Sequence, residues 1–223
     1  LIAFQTAYLK THHAEQFIAA SMSTTLTNTG KLREYVEELK RLKVEVIRPS
    51  INNCFAEFKA DTNKIFYGLG AIKSVGFEAI SNIVNEREKN GKFKTFTDFI
   101  NRVDPKDVNK LQLEGLVKAG AFDEIDLNRK KLFDSIPKII QTIKSKYDER
   151  VSNQTNLFND SNNHNNETFK FNSVKSWTKK ELLAEEFVSL GFYISDHPLN
   201  EYKEFFTQLE INSYKDFIES SKT

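Results

Sequence analysis

Cysteine, histidine and long apolar runs are scarce in this sequence, and each shortage excludes a class of protein. Cys54 is the single cysteine among 223 residues, so the chain has no disulfide framework and no metal site built from cysteines. The four histidines lack metal-ligand spacing with Cys54 or with each other, and we therefore predict no bound metal and no cofactor. No run of about 18 apolar residues occurs, so no membrane-spanning helix is expected. These shortages favour a protein of the reducing cytoplasm without a membrane partner.

Neither sign of charge dominates the chain. It carries 32 Lys and Arg against 31 Asp and Glu, a net charge of +1. The sequence as a whole therefore has no nucleic-acid signature, and any such surface requires local segregation of charge. The hydrophobic content of 39%, with 19 Phe, is sufficient for packed cores and excludes global disorder.

Hydrophobic periodicity predicts a mainly α fold with one small sheet. Apolar residues recur at helical spacing before residue 43 and again after residue 76. Between these regions, residues 43–47 alternate in character and are rich in β-branched side chains, which predicts a strand. Residues 55–58 and 64–67 flank the turn sequence Asp61-Thr62-Asn63 and predict a hairpin.

Several residues mark where the later helices begin and end. Asn109, Asn128 and Thr178 are predicted N-caps, and Gly91 is a predicted C-cap. Pro137 lies inside an apolar helical stripe, so we predict a kink or a restart of the helix there.

Composition divides the chain into four parts. Residues 1–65 are predicted to form a helical region with the small β element, and residues 66–150 a domain with two helix–hairpin–helix units. Residues 151–176 are rich in Asn and poor in aliphatic side chains, which is typical of a flexible linker. Residues 177–223 are predicted to be a helical segment leading into a following domain. Because Leu1 stands where an initiator Met is expected, we read the chain as a piece of a longer protein.

Two short turns carry the strongest functional pattern. The first is Ile72-Lys73-Ser74-Val75-Gly76 and the second is Lys118-Ala119-Gly120-Ala121-Phe122. A turn of small residues between helices leaves backbone N–H groups uncovered, and the next helix adds the positive end of its dipole, so a DNA phosphate could bind there. Contacts of this kind hold duplex DNA without selecting a sequence. The predicted DNA-binding residues are Lys73, Ser74, Val75, Gly76, Lys110, Lys118, Ala119, Gly120, Ala121, Arg129, Lys130 and Lys131. The alternative is that both turns are ordinary αα-corners whose glycines only allow helices to pack.

A second short pattern lies in the predicted linker. Gln154-Thr155-Asn156-Leu157-Phe158 has the form of a short linear motif, in which the Gln154 amide bonds a pocket rim while Leu157 and Phe158 fill an apolar cleft. The alternative is a linker with two stray apolar residues.

No catalytic constellation stands out. Metal-assisted phosphoryl transfer requires carboxylates that converge on Mg²⁺, whereas the aspartates here are scattered over predicted turns and caps. No Gly-rich phosphate loop and no nucleophile–base grouping is present either. We assign no catalytic residue.

Five collinear segments resemble the family of bacterial replicative DNA polymerase III alpha subunits, which are C-family polymerases. They are the segments 4–10, 66–76, 109–123, 154–158 and 190–199, so the resemblance spans essentially the whole chain. It implies DNA-directed DNA synthesis in chromosomal replication, with residues 1–65 as the end of the fingers, residues 66–150 gripping duplex DNA, and Gln154, Leu157 and Phe158 binding the sliding clamp. Other replisome subunits are further implied partners. The family's catalytic aspartates and Mg²⁺ belong to an upstream palm, so this piece is expected to be inactive alone.

One departure from the family ranks the two turns. Ser74 stands where the family usually has Gly, and Ser is costly if that position requires a positive φ. The second turn, with Gly120 and the basic helix after Asn128, is therefore the stronger prediction for phosphate contact. Two other functions remain open from the residues themselves: a stand-alone DNA-binding accessory module of a repair or nuclease protein, and a helical adaptor.

Overall fold

The computed structural model describes residues 1–151 and 169–209, and in them the predicted mainly α fold is confirmed. The α-helices, in chain order, are α1 (Ile2–His12), α2 (Ala14–Ser23), α3 (Thr29–Arg41), α4 (Phe77–Asn90), α5 (Phe96–Arg102), α6 (Lys110–Lys118), α7 (Arg129–Val151), α8 (Lys179–Leu190) and α9 (Lys203–Gln208). Two short 3-10 segments, Leu69–Ala71 and Pro198–Tyr202, precede α4 and α9. None of the described helices is both long and apolar enough to cross a membrane.

The small sheet has three strands: β1 (Glu45–Ile47), β2 (Lys59–Asp61) and β3 (Lys64–Phe66), in the order β1-β3-β2. β1 runs parallel to β3, and β2 pairs with β3 as an antiparallel hairpin. The predicted hairpin arm at residues 55–58 is wrong, because Asp61 pairs with Lys64 across a two-residue loop and the strands therefore start at that loop. The predicted arm at 55–58 contributes only an isolated bridge from Phe55 to Gly68.

The helix signals read from the sequence are present in the structure. Asn109 and Thr178 each form a capping box, and the Asn128 side chain accepts a hydrogen bond from Lys131 N–H. Gly91 ends α4 with a φ of 81°. These caps satisfy N–H and C=O groups that helix ends otherwise leave open, each contributing on the order of 1 kcal/mol.

Pro137 does not restart its helix, since α7 continues through it from residue 129 to residue 151. An internal Pro costs about 3 kcal/mol because it removes a hydrogen bond and crowds the preceding turn. The buried stripe of α7 outweighs that cost, because each of its four branched side chains is at most 1% exposed and gains about 1.5–3 kcal/mol on burial. The stripe consists of Leu132, Ile136, Ile139 and Ile143.

A cluster of phenylalanine rings joins α5 to the second turn. The ring centroid of Phe122 lies 5.0 Å from those of Phe96 and Phe99, in edge-on arrangements. Phe171, near the C-terminal end of the predicted linker, adds a ring 5.8 Å from Phe96. Aromatic pairs of this geometry add about 0.5–1.5 kcal/mol each beyond area burial. The second turn is therefore built into the core.

Helix α8 leaves two large apolar side chains exposed and buries a carboxylate. Phe187 and Val188 are 44% and 54% exposed. Glu186 is buried instead, and its carboxylate accepts the N–H groups of Ile194 and Ser195 at 2.8 and 3.0 Å. These bonds satisfy the buried charge and attach the chain after α8 to the helix.

Candidate nucleic-acid interface

The first turn is anchored in the protein core by two of its residues and exposes two others to solvent. Ile72 and Val75 are 2% and 8% exposed, and Val75 N–H donates to the Ile72 carbonyl at 3.1 Å. Lys73 N–H donates to the carbonyl of Ser189 in α8 at 3.0 Å, while the Lys73 and Ser74 side chains face solvent. Two apolar anchors and one long-range hydrogen bond thus fix the backbone that leads into α4.

Ser74 occupies the left-handed region, with a φ of 65°. The condition that made Ser costly at this position is therefore met, and the strain is on the order of 1 kcal/mol. Its consequence for binding is nevertheless small, because the strain fixes the turn in one conformation without covering any N–H group.

The N-terminus of α4 is open. Gly76 is its N-cap and provides no side-chain cap, and the first intrahelical acceptor is used by Ile80 N–H. Within the described part of the chain, the N–H groups of Gly76, Phe77, Glu78 and Ala79 donate to no acceptor. Gly76 and Phe77 are exposed. A row of free donors at the positive end of a 14-residue helix is an arrangement that favours an anion.

The second turn has the opposite character, and the prediction that it leaves N–H groups uncovered is wrong. Gly120, with a φ of 79°, ends α6: its N–H donates to the Val117 carbonyl and the Ala121 N–H to the Leu116 carbonyl. This is a Schellman motif, which saturates the end of a helix. The Ala119 N–H is likewise used, and Ala119 and Ala121 are 2% and 1% exposed. These donors are used within the fold, which favours the first turn over the second for phosphate contact.

The basic residues beside the second turn are also occupied. Arg129 is 8% exposed and binds both carboxylate oxygens of Asp123, at 2.8 and 2.6 Å. Lys118 pairs with Glu185 at 3.0 Å, and Lys131 pairs with Asp126. These three cations therefore stabilise the fold around the turn, and their contact with a phosphate remains a prediction.

The other predicted cations are more available. Lys110 lies 3.8 Å from Glu114 with a side chain that is 67% exposed, which is a weak surface pair. Lys73 and Lys130 form no ion pair within residues 1–151 and 169–209. Of these, Lys73 belongs to the turn whose donors are open.

Helix α6 packs directly against the first turn, a relationship that the sequence reading missed. A Cβ atom at Gly115 would lie 2.7 Å from the Lys73 carbonyl oxygen, so only glycine allows this approach. Gln112, one turn earlier in α6, reaches Gly76. The Asn109-x-x-Gln112 spacing was a readable sign of the helix start, although nothing in it indicates which turn the helix packs against.

Cys54 is a buried thiol whose surroundings do not activate it. Burial raises the pKa of the Cys54 thiol to about 11, so it remains protonated and unreactive at neutral pH. No group of three or more His, Cys, Asp or Glu side chains is arranged to hold a metal ion in the part of the chain described. Gln154, Leu157 and Phe158 lie outside the described residues, so their role remains a prediction.

Comparison with known proteins now identifies the class. The family model described as a helix-hairpin-helix motif matches residues 43–132, which include both turns. The match places the chain in the class of proteins that carry this motif.

The particular family follows from whole-chain similarity to curated relatives. The DNA polymerase III subunit alpha of Borreliella burgdorferi is 42% identical over 205 residues, which cover 91% of this chain and 18% of the relative. The same subunit of Campylobacter jejuni subsp. jejuni is 36% identical over 97% of this chain, and that of Helicobacter pylori 35% identical over 99% of it. The chain thus matches a segment of DNA polymerase III alpha subunits, and it spans only 18–19% of the length of these relatives.

Proposed function

We propose that this chain is the duplex-gripping portion of a DNA-directed DNA polymerase of chromosomal replication, and that it binds a backbone phosphate at the N-terminus of α4. The observation that carries the proposal is the row of unpartnered N–H groups from Gly76 to Ala79 on a rigid, exposed turn beside Lys73. Such donors contact phosphate and not base edges, so binding is independent of sequence. This suits an enzyme that must move along any template.

The proposal assigns no chemistry to the described residues. In the polymerase as a whole, nucleotidyl transfer would rely on Mg²⁺ and on carboxylates in other parts of the protein. The role of this chain would be to hold the duplex in register for that chemistry. The alternatives of an accessory repair module or an adaptor receive less support, because the similarity to polymerase subunits covers over 90% of the chain.

A matched pair of substitutions tests the phosphate site. Phe77→Pro removes one N–H at the first position of α4, where Pro is well tolerated, and Gly76 already has the extended ψ of 132° that a residue before Pro requires. Phe77→Ala removes the same ring but keeps the N–H. Because a hydrogen bond to a charged group contributes about 1.5–3 kcal/mol, Phe77→Pro should bind duplex DNA at least tenfold more weakly than Phe77→Ala in a fluorescence-anisotropy titration. Equal affinities would contradict the site.

We further propose that Gln154, Leu157 and Phe158 bind the sliding clamp in the cytoplasm, within a replisome. Support comes from the motif and from the similarity to polymerase subunits, which makes such a tether useful. Leu157→Ala combined with Phe158→Ala should abolish binding to a purified clamp in a surface-plasmon-resonance assay and leave duplex affinity unchanged. Retained clamp binding would contradict the assignment.

A further inference from the structure

In the side-chain amide of Gln112, the oxygen accepts a hydrogen bond and the nitrogen donates none within the described residues. Its Oε1 accepts the Asn109 N–H at 3.0 Å, and its backbone N–H donates to Asn109 Oδ1 at 2.9 Å, which together form the capping box of α6. Because the oxygen must face the Asn109 N–H, the orientation of the amide is fixed by this network. The Nε2 group therefore points away from the cap.

The Nε2 atom of Gln112 lies next to the first turn. Nε2 lies so close to Gly76 that a Cβ atom placed on the glycine would be 3.2 Å from it. Gln112 is only 8% exposed, yet its Nε2 donates to no acceptor within the described residues. Nε2 is not among the fully buried polar atoms that lack a hydrogen-bond partner, so it can be reached from solvent and can donate to an incoming ligand.

The start of α6 adds further donors to the same place. The N–H groups of Lys110 and Leu111 also donate to no acceptor in the described part of the chain, and both residues are exposed. The N-termini of α4 and α6 thus approach each other. The side-chain amide of Gln112, in the first turn of α6, lies beside Gly76, the N-cap of α4. Each helix presents the positive end of its dipole, so an acceptor with negative charge is favoured over a neutral one.

We propose that Gln112 Nε2 is a direct ligand of the DNA phosphate bound at the N-terminus of α4, so that α4 and α6 hold one phosphodiester between them. The ligand group is a non-bridging phosphate oxygen, which can accept from Nε2 and from the α4 N–H row together. This inference rests on the proposed function and extends it. It assigns the DNA contact of α6 to the N-terminus of the helix, whereas the second turn at its C-terminus is buried.

The geometry provides a substitution that separates binding from stability. Gln112→Glu keeps an oxygen to accept the Asn109 N–H, and it adds a negative charge at the start of α6, where the helix dipole favours it. The Nε2 donor, however, becomes a carboxylate oxygen that repels phosphate. The variant of the 223-residue chain should melt at the same temperature or higher and bind a random-sequence duplex at least tenfold more weakly. Gln141→Glu, an equal charge change on the exposed side of α7, should alter affinity less than twofold.

Gln112→Lys gives the opposite combination. It loses the capping oxygen, so its melting temperature should fall, but it retains a donor with positive charge, so duplex affinity at low salt should remain within twofold or rise. If Gln112 were only structural, affinity would follow stability in both variants, and that outcome would overturn the inference. Wild-type affinity for Gln112→Glu together with weak binding by Phe77→Pro would overturn it while leaving the α4 site intact. If neither Gln112→Glu nor Phe77→Pro changes the affinity for duplex DNA, the proposed function fails as well.

Discussion

The guanidinium of Arg129 occupies the space that a side chain at position 120 would need. A Cβ atom on Gly120 would lie 2.5 Å from Arg129 Cζ and 2.8 Å from Asp123 Oδ2. The same guanidinium donates to the Lys118 carbonyl at 2.9 Å. Gly120 is therefore required by an internal ion pair that packs against the end of α6.

Gly120→Ala should be strongly destabilising for two separable reasons. The φ of 79° disfavours any Cβ by about 1 kcal/mol, and the new methyl group must also displace Arg129 from Asp123. We expect the free energy of unfolding in urea to fall by about 3 kcal/mol. The same substitution in an Arg129→Ala background is the control, because the guanidinium then no longer occupies the space of the added Cβ and the loss should fall toward the backbone cost of about 1 kcal/mol. Equal losses in the two backgrounds would mean that the Arg129–Asp123 pair moves aside without cost.

Ser74→Gly should stabilise the protein. Ser74 has a φ of 65°, and glycine removes the cost of a Cβ in that region, which exceeds the entropy that glycine adds to the unfolded chain. We expect a gain of about 0.5–1 kcal/mol in the free energy of unfolding, measured by chemical denaturation. Ser81→Gly, within α4, should have the opposite sign because glycine is unfavourable inside a helix. A loss of stability at position 74 would contradict the strain argument.

The two turns show what the sequence could predict and what it could not. Helix positions and caps followed from local spacing, because each depends on neighbours in the chain. The free donors of α4 did not, since a Lys-Ala-Gly turn and a Lys-Ser-Val-Gly turn both look like small-residue corners. Whether an N–H is free depends on what it meets, such as the Leu116 carbonyl for Ala121. Long-range pairs such as Lys118–Glu185 decided which cations remain available, and no local pattern reveals them.

The loop after α8 should make stability depend on acidic pH. Hydrogen bonds from Lys179, Asn200 and the His197 N–H to the Asp196 carboxylate hold the pKa of that carboxyl well below its ordinary value. The unfolded chain therefore takes up the proton first, so the contribution is present above about pH 4 and is lost as pH falls toward the folded pKa. Melting curves of wild type and Asp196→Asn should differ at pH 7 and converge at low pH. Lys179→Met, which removes the main cause, should reduce the same dependence; parallel curves for wild type and Asp196→Asn would contradict this assignment.

Lys73 and Lys118 look equivalent in sequence, each beside a small-residue turn, and the structure predicts different behaviour on DNA. Lys73 is exposed beside the open N-terminus of α4, whereas Lys118 pairs with Glu185 and lies 5.1 Å from the ring centroid of Phe133. Each cation that neutralises a phosphate contributes about −0.9 to the slope of log affinity against log salt concentration. Lys73→Ala should therefore weaken duplex binding and make that slope shallower by about this amount. Lys118→Ala should lower thermal stability and leave the slope unchanged, because its charge is already used within the protein. A shallower slope for Lys118→Ala, with none for Lys73→Ala, would return the phosphate contact to the second turn.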